Sequence, residues 1–211
     1  MNWLFDWGEQ LSLSSHCIQQ ACVLCDLFIS YRQVDTPEVF QLIVGLSLNI
    51  TAKLDSRFPL TLAEISQVIN CPLSPAAISK VELLMLDSVG WKVARQTAAG
   101  MSRLLLHVTC PEFNFQTLWK YSDAFAALCY CNVELAKMDA GTIAVATVCA
   151  ALDKLNQRDF KEGWLAHIQG QFSQPTVTLL LSRIQKLVSH LEEDRGSDST
   201  EGSQHSLTAE Q

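Results

Sequence analysis

The sequence predicts an all-α protein that consists of two tandem five-helix repeats and a disordered C-terminal tail. Apolar residues recur every three or four positions through most of the 211 residues, which is the spacing of helices that bury one face. One segment in each half, VFQLIVGLSLNITAKL and GTIAVATVCAAL, is apolar or small on every side, which is typical of a helix surrounded by other helices. From residue 192 onward the chain is acidic and rich in serine.

The first half is predicted to hold five helices around the segment at residues 39–54. Pro37 and Glu38 suit the first turn of this central helix, because proline needs no backbone donor there and the carboxylate faces the positive helix end. Thr61 and Glu64 have the spacing of a capping box, and Gly90 is suited to end the last helix. The predicted helices span residues 2–11, 15–31, 39–54, 61–68 and 76–89.

A membrane span is the rival explanation of the central segment. A span needs about 20 predominantly apolar residues. This run is shorter and carries Gln41, Asn49 and Thr51. We therefore expect a buried helix in a protein with no membrane partner.

The helical pattern begins again after Trp91. The segment GTIAVATVCAAL holds the same place in the second half as residues 39–54 in the first, and the helices agree in number, order and relative length. We therefore predict two stacked repeats, at residues 1–92 and 93–191, joined by the short segment 92–95. Residues 192–211 are predicted to be disordered, because their few apolar side chains cannot offset the entropy of ordering. The predicted helices span residues 96–108, 115–131, 141–156, 164–172 and 175–191.

Charge and cysteine usage limit the classes of partner and compartment. The formal net charge of −7 argues against a nucleic-acid partner, whose binding surface would show clustered Lys and Arg. The first residues, MNWLFDWGEQ, lack the basic region and the cleavage site of a signal peptide. The eight cysteines fall mostly inside apolar helical patterns, where a reduced thiol acts as a small hydrophobe. These features predict an intracellular protein with free thiols. The cysteines are Cys17, Cys22, Cys25, Cys71, Cys110, Cys129, Cys131 and Cys149.

The sequence contains no nucleophile elbow, phosphate-binding loop or dinucleotide fingerprint. Cys22 and Cys25 form a C-x-x-C pair inside a helix, but no second pair stands at the spacing of zinc ligands. Buried thiols are therefore favoured over a metal site. The histidines are dispersed, and none has a carboxylate or a cysteine at useful spacing. The sequence predicts no cofactor, no metal and no catalytic residue.

Two charged residues stand at the edges of otherwise apolar helices. Lys53 closes the central helix, and Glu82 lies between apolar residues in KVELLML. From composition alone, their side chains are expected to reach water or to pair with each other across the two helices. A surface that offers both groups to a partner is the alternative.

The first half resembles a cyclin box in the segments WLFDWGEQLSL, CDLF, LIVGLSLNITAKLD and KVELLMLDSVGW. The spacing of Lys53 and Glu82 fits the family pattern without a gap, and this pair is the most specific part of the resemblance. The second half resembles the second cyclin fold, with AGTIAVATVCAAL in place of the usual Pro-Ser-x-Ile-Ala-Ala-Ala run. The resemblance covers residues 2–191. The segment CDLF, together with the Glu-Leu-Leu run, is similar to the cyclin J type.

The resemblance implies a regulatory subunit, without catalytic activity of its own, that forms a heterodimer with a cyclin-dependent kinase in the nucleus or the cytoplasm. In cyclins the residues that match Lys53 and Glu82 hydrogen-bond the main chain of the kinase beside its αC helix. Leu54, Leu86 and Trp91 match positions of the surrounding apolar surface. The pair is then expected to serve the kinase rather than to satisfy itself. Packing on αC is expected to complete the kinase active site.

The substrate-docking patch that many cyclins use for Arg-x-Leu motifs is expected to be degenerate. Trp3 and Gln41 match this patch, and Asp6 stands where cyclins carry a Glu. Thr36 or Pro37 stands in place of an Arg, and the apolar residues ahead of the Trp have no counterpart in this sequence. The resemblance therefore implies that Arg-x-Leu substrates are not recruited.

Other functions remain open from the sequence. A cyclin-fold adaptor or competitor would bind a kinase or another protein without activating it, and the missing patch arginine favours it. A DNA-binding relative, such as the core of general transcription factor IIB, would need a basic face and a zinc ribbon. The acidic charge and the unpaired C-x-x-C count against that function. An enzyme of an unknown all-α class comes last.

Overall fold

The computed structural model describes residues 2–55, 59–70, 74–110, 115–168 and 170–201. Every regular element in these ranges is a helix, so the all-α prediction is confirmed. Within the described ranges, five helices precede the segment 92–97, which has no regular structure, and five follow it. None of the described helices is long and apolar enough to cross a lipid bilayer. The helices are α1 (Asn2–Gln10), α2 (Ser15–Tyr31), α3 (Pro37–Asp55), α4 (Leu62–Ile69), α5 (Pro75–Ser88), α6 (Ala98–Thr109), α7 (Gln116–Tyr130), α8 (Ala140–Lys154), α9 (Arg158–His167) and α10 (Gln174–Glu201).

The first repeat is built around α3, as the sequence predicted. Every residue from Ile43 to Ala52 is buried, because α1, α2, α4 and α5 all pack against this helix. The capping box of α4 is confirmed: the Thr61 hydroxyl accepts a hydrogen bond from the Glu64 amide, and the Glu64 carboxylate accepts one from the Thr61 amide at 2.6 Å. These bonds satisfy donors at the helix start that have no partner within the helix.

The second repeat is built around α8 in the same way. All residues from Gly141 to Leu152 are buried, and α6, α7, α9 and α10 pack against them. The glycine is needed for this packing, because a Cβ at its position would lie 2.6 Å from Cε1 of Phe172. The two central helices therefore hold equivalent places in the two repeats.

The two repeats meet where α2 contacts α6 and α7. The first two backbone amides of α6 donate hydrogen bonds to side chains of other helices. The Gln19 side-chain oxygen, on α2, accepts a hydrogen bond from the Ala99 amide at 2.9 Å, and the Tyr130 hydroxyl, on α7, accepts one from the Ala98 amide at 3.3 Å. Because Gln19 is fully buried, this bond ties the second repeat to the core of the first. The domain division at residues 92 and 93 stays a prediction.

Two helix predictions were wrong by more than two residues at an end. The ninth helix was expected at residues 164–172, but α9 spans Arg158–His167. Asn156 and Gly170 both have positive φ, at 56° and 89°, and such backbone conformations interrupt a right-handed helix before and after α9. The tenth helix was expected to end at Leu191, but α10 continues to Glu201. Each residue added to an existing helix gains a backbone hydrogen bond, so a helix that is anchored by its earlier turns can continue into a polar segment. Residues 202–211 of the predicted tail lie outside the described residues.

Candidate functional site

The end of α3 and the middle of α5 lie side by side and bring together the two charged residues that the sequence singled out. Lys53 Nζ lies 2.7 Å from Oε1 and 2.8 Å from Oε2 of Glu82. The Lys53 side chain is 46% exposed, whereas the Glu82 side chain is 11% exposed. The ion pair is therefore one-sided, with a covered carboxylate and an ammonium group that water can reach.

The structure corrects one expectation about this pair. The resemblance implied that Lys53 and Glu82 would not satisfy each other, yet in the chain alone they form a bidentate salt bridge. This is the cross-helix pairing that composition alone had predicted. The physical reason is that a buried carboxylate without a charged or hydrogen-bonding partner carries a large desolvation cost. A contact to a kinase would have to replace these bonds.

A third polar residue holds the carboxylate from inside. Asn49 lies one helical turn before Lys53 on α3, is 1% exposed, and donates a hydrogen bond from Nδ2 to Oε1 of Glu82. From the sequence, the polar side chain of Asn49 indicated only that this helix does not span a membrane. The signal that could have identified it is an amide on the same face as Lys53, four residues earlier, in a helix that is otherwise apolar or small.

Apolar side chains close to the charged pair in the sequence, and one at the end of α5, also reach solvent. Leu54 is 55% exposed and Trp91 is 60% exposed, while Leu86 is half-buried. Leu83 is also exposed, which the apolar pattern of α5 did not predict. We call this surface the α3–α5 platform. It consists of Lys53, Leu54, Glu82, Leu83, Leu86 and Trp91.

Trp91 is fixed at the edge of the α3–α5 platform by the end of α5. Its indole Nε1 donates to the Asp87 carboxylate at 2.9 Å, and its amide donates to the Leu86 carbonyl at 2.8 Å. Its backbone has φ of 61°, a conformation that a bulky residue adopts only when its surroundings enforce it. These contacts fix a large aromatic ring in a position where solvent reaches it. A fixed and exposed tryptophan is a feature of binding surfaces.

The residues of the predicted docking patch lie on two neighbouring helices. Trp3 and Asp6 are on α1, Gln41 is on α3, and the two helices pack together. Trp3 is half-buried and meets Trp7 edge-on, with ring centroids 6.3 Å apart, while Asp6 is exposed. Gln41 is half-buried. The degenerate character of the patch stays a prediction.

The C-x-x-C pair lies in the core. Cys22 and Cys25 are fully buried on α2, and every described cysteine is a free thiol. Burial raises the pKa of the Cys25 thiol to about 12 and raises the pKa of Cys22 well above its usual value. The described residues contain no group of three or more His, Cys, Asp or Glu side chains that could hold a metal ion. Cys71 lies outside the described residues.

Comparison with known proteins gives one family. Residues 1–94 match the family model for the cyclin N-terminal domain. The chain is 24% identical over 157 residues to human G1/S-specific cyclin-D1, and the match covers 74% of this chain and 53% of that protein. It is 23% identical over 185 residues to the Xenopus laevis protein of the same name, and that match covers 87% of this chain and 60% of that protein. The chain thus spans about half the length of these curated relatives, or slightly more.

Two solved structures show that the likeness extends beyond the first repeat. The X-ray structure of a viral cyclin from herpesvirus saimiri superposes with a TM-score of 0.73 at 16% identity, over 87% of this chain and 81% of that chain. A chain of the CAK complex from Chaetomium thermophilum bound to ATP-gamma-S superposes with a TM-score of 0.59 at 14% identity, over 96% of this chain and 66% of that chain. At these identities the likeness shows the fold, in both repeats.

Proposed function

We propose that this chain, whose residues 1–94 match the family model for the cyclin N-terminal domain, is a cyclin that acts as a non-catalytic regulatory subunit of a cyclin-dependent Ser/Thr kinase. It binds the kinase as a heterodimer, in the nucleus or the cytoplasm, through the α3–α5 platform. The observation that carries the proposal is the one-sided pair of Lys53 and Glu82 amid exposed apolar side chains.

The chemistry of the pair suits a partner that presents main-chain groups. A backbone has one N–H donor and one C=O acceptor per residue, and Glu82 accepts hydrogen bonds while Lys53 donates them. The partner's carbonyl can replace the carboxylate for Lys53, and its amide can replace the ammonium for Glu82. Hydrogen bonds that involve a charged group are stronger than neutral ones, which favours this exchange in an interface.

The apolar members of the α3–α5 platform supply the rest of the contact. Leu54, next to Lys53 in the chain, and Trp91, just after α5, both expose large apolar surfaces, and their burial by a partner would contribute about 25 cal/mol per Å². Burial of a helix of the kinase on this surface is the proposed means of activation. A kinase αC helix held inward completes the Lys–Glu pair of the active site and favours an ordered activation loop.

Titration of the full chain against a panel of purified cyclin-dependent kinases tests the proposal, with binding and peptide phosphorylation measured in parallel. We expect one kinase to bind and to gain activity. Leu54→Ala should weaken that binding by roughly tenfold, because each buried CH₂ contributes about 0.8 kcal/mol and the truncation removes about two of them from the interface. Leu104→Ala is the matched control, because Leu104 lies on α6 and is 53% exposed, close to the 55% of Leu54.

Each other outcome has a definite meaning. Binding without any gain of kinase activity would support an adaptor or a competitor instead. Failure to bind any kinase would refute the proposed function. Equal weakening by Leu54→Ala and Leu104→Ala would show that binding does not use the α3–α5 platform.

A further inference from the structure

The buried amide behind the charged pair is the starting point of a further inference, which rests on the proposed function. Asn49 is 1% exposed in a helix whose other buried side chains, from Ile43 to Ala52, are mostly apolar or small. Its Nδ2 donates to the Glu82 carboxylate, and its Oδ1 has no hydrogen-bond partner among the described residues. Of the two polar atoms of this side chain only Nδ2 is paired, and an acceptor that is buried and unpaired is destabilising.

The orientation of this amide follows from its neighbour. A carboxylate oxygen only accepts hydrogen bonds, so the NH₂ group of Asn49 must face Glu82 and its oxygen must face away. Glu82 Oε1 thus has two donors, Asn49 from the core and Lys53 from the solvent side. Of these two, only Lys53 lies where a partner can reach it, because its side chain is the exposed member.

We propose that Asn49 is a positioning residue that anchors the Glu82 carboxylate, so that Lys53 can move to a carbonyl oxygen of the kinase. When the ammonium departs, the buried carboxylate keeps the Asn49 hydrogen bond and holds its place in the α3–α5 platform. Without that bond, the departure of Lys53 would leave the buried carboxylate with a kinase amide as its single donor, which is less favourable than two donors. Asn49 therefore lowers the cost of exchanging the intrachain salt bridge for contacts to the kinase.

A double-mutant cycle on the isolated chain tests the anchoring without any kinase. Lys53→Ala, Asn49→Leu and the combined variant are unfolded in urea, and their unfolding equilibrium constants are compared with that of the unaltered chain. Lys53→Ala should raise the unfolding equilibrium constant by a factor about ten times larger in the Asn49→Leu background than in the unaltered chain. The reason is that Glu82 has lost both donors in the combined variant. If leucine proves too large for the site and the variant does not fold, Asn49→Ala completes the same cycle.

Kinase affinity tests the consequence for binding. Asn49→Leu should weaken the kinase complex by roughly tenfold while the urea midpoint of the chain stays level or rises, since the unpaired oxygen is removed with the amide. Ser47→Ala is the matched control on α3, because the Ser47 hydroxyl is also fully buried and has no partner among the described residues. This control should likewise leave the urea midpoint level or raise it, and it should leave kinase affinity unchanged.

The outcomes separate the anchor from the proposed function. Additive effects of Lys53→Ala and Asn49→Leu on unfolding would overturn the anchor. A coupled cycle with unchanged kinase affinity of Asn49→Leu would overturn its role in binding. If the unaltered chain binds no kinase, the proposed function and the exchange of Lys53 fall together, while the cycle still decides whether Asn49 anchors Glu82.

Discussion

Replacement of Glu82 by glutamine should separate the folding role of this residue from its binding role. Glutamine has nearly the same shape and keeps one oxygen for the Asn49 amide, but it carries no charge. The lost ion pair contributes little to folding, about 0–1 kcal/mol, because the Lys53 side chain is nearly half exposed and water can solvate its ammonium. Glutamine also relieves the desolvation of a buried carboxylate. We therefore expect the free energy of unfolding to change by less than about 1 kcal/mol.

The same substitution should affect kinase binding far more. In the complex, the Glu82 carboxylate is proposed to accept a hydrogen bond from a main-chain amide of the kinase. Hydrogen bonds to charged groups contribute about 1.5–3 kcal/mol. Because about 1.4 kcal/mol corresponds to a tenfold change in Kd, the affinity should fall by about 10- to 100-fold.

Titration of the kinase with Glu82→Gln and with a matched variant, Glu134→Gln, measures this difference. Glu134 forms a 3.0 Å ion pair with Lys137 three residues along the chain, and its side chain is 70% exposed, away from the α3–α5 platform. Both substitutions remove one carboxylate charge, so they change the net charge equally. Equal kinase affinities of the two variants would refute the role assigned to Glu82. A urea midpoint that collapses in Glu82→Gln would show instead that the residue serves mainly the fold.

Further predictions concern the contact between the repeats, the start of α8 and the docking patch. Gln19→Leu removes the acceptor of the buried Ala99 amide and should lower the free energy of unfolding, measured in urea, by about 1–3 kcal/mol; an unchanged midpoint would contradict the tie between the repeats. Burial acts to raise the pKa of Asp139, but hydrogen bonds from Thr142 and nearby amides prevail and lower it. A carboxyl whose pKa is lowered in the folded state stabilises the fold at pH values above its unfolded pKa. This stabilisation is lost as the pH falls through its folded pKa. Asp139→Asn should therefore cost stability near pH 7 and little at pH 2 in urea titrations, and a pH-independent cost would contradict this linkage. Peptide substrates with and without a distal Arg-x-Leu should show equal kcat/KM in the kinase complex; a clear preference for Arg-x-Leu would mean that Trp3, Asp6 and Gln41 still form a working patch.

Several features of this protein could be predicted from the sequence because they depend on residues close together in the chain. The capping box of Thr61 and Glu64 spans a single turn, and both of its hydrogen bonds form. The burial of α3 and α8 followed from apolar residues on every side, since such helices avoid water only among other helices. The importance of Lys53 and Glu82 followed from their charge in apolar surroundings and from the family resemblance.

Other features were decided only by the tertiary structure, because they depend on contacts between residues far apart in the chain. α5 is apolar on several sides, so only its packing decides that Met85 is buried and Leu83 reaches solvent. The ends of α9 and α10 depend on backbone conformation and on anchoring that apolar periodicity does not report. Asn49 obtained its role only when α5 brought Glu82 beside α3, across thirty-three residues of sequence. The sequence by itself thus determined the helices and the two charged residues, whereas the packing of α3 against α5 decided that these residues pair and that a buried amide supports them.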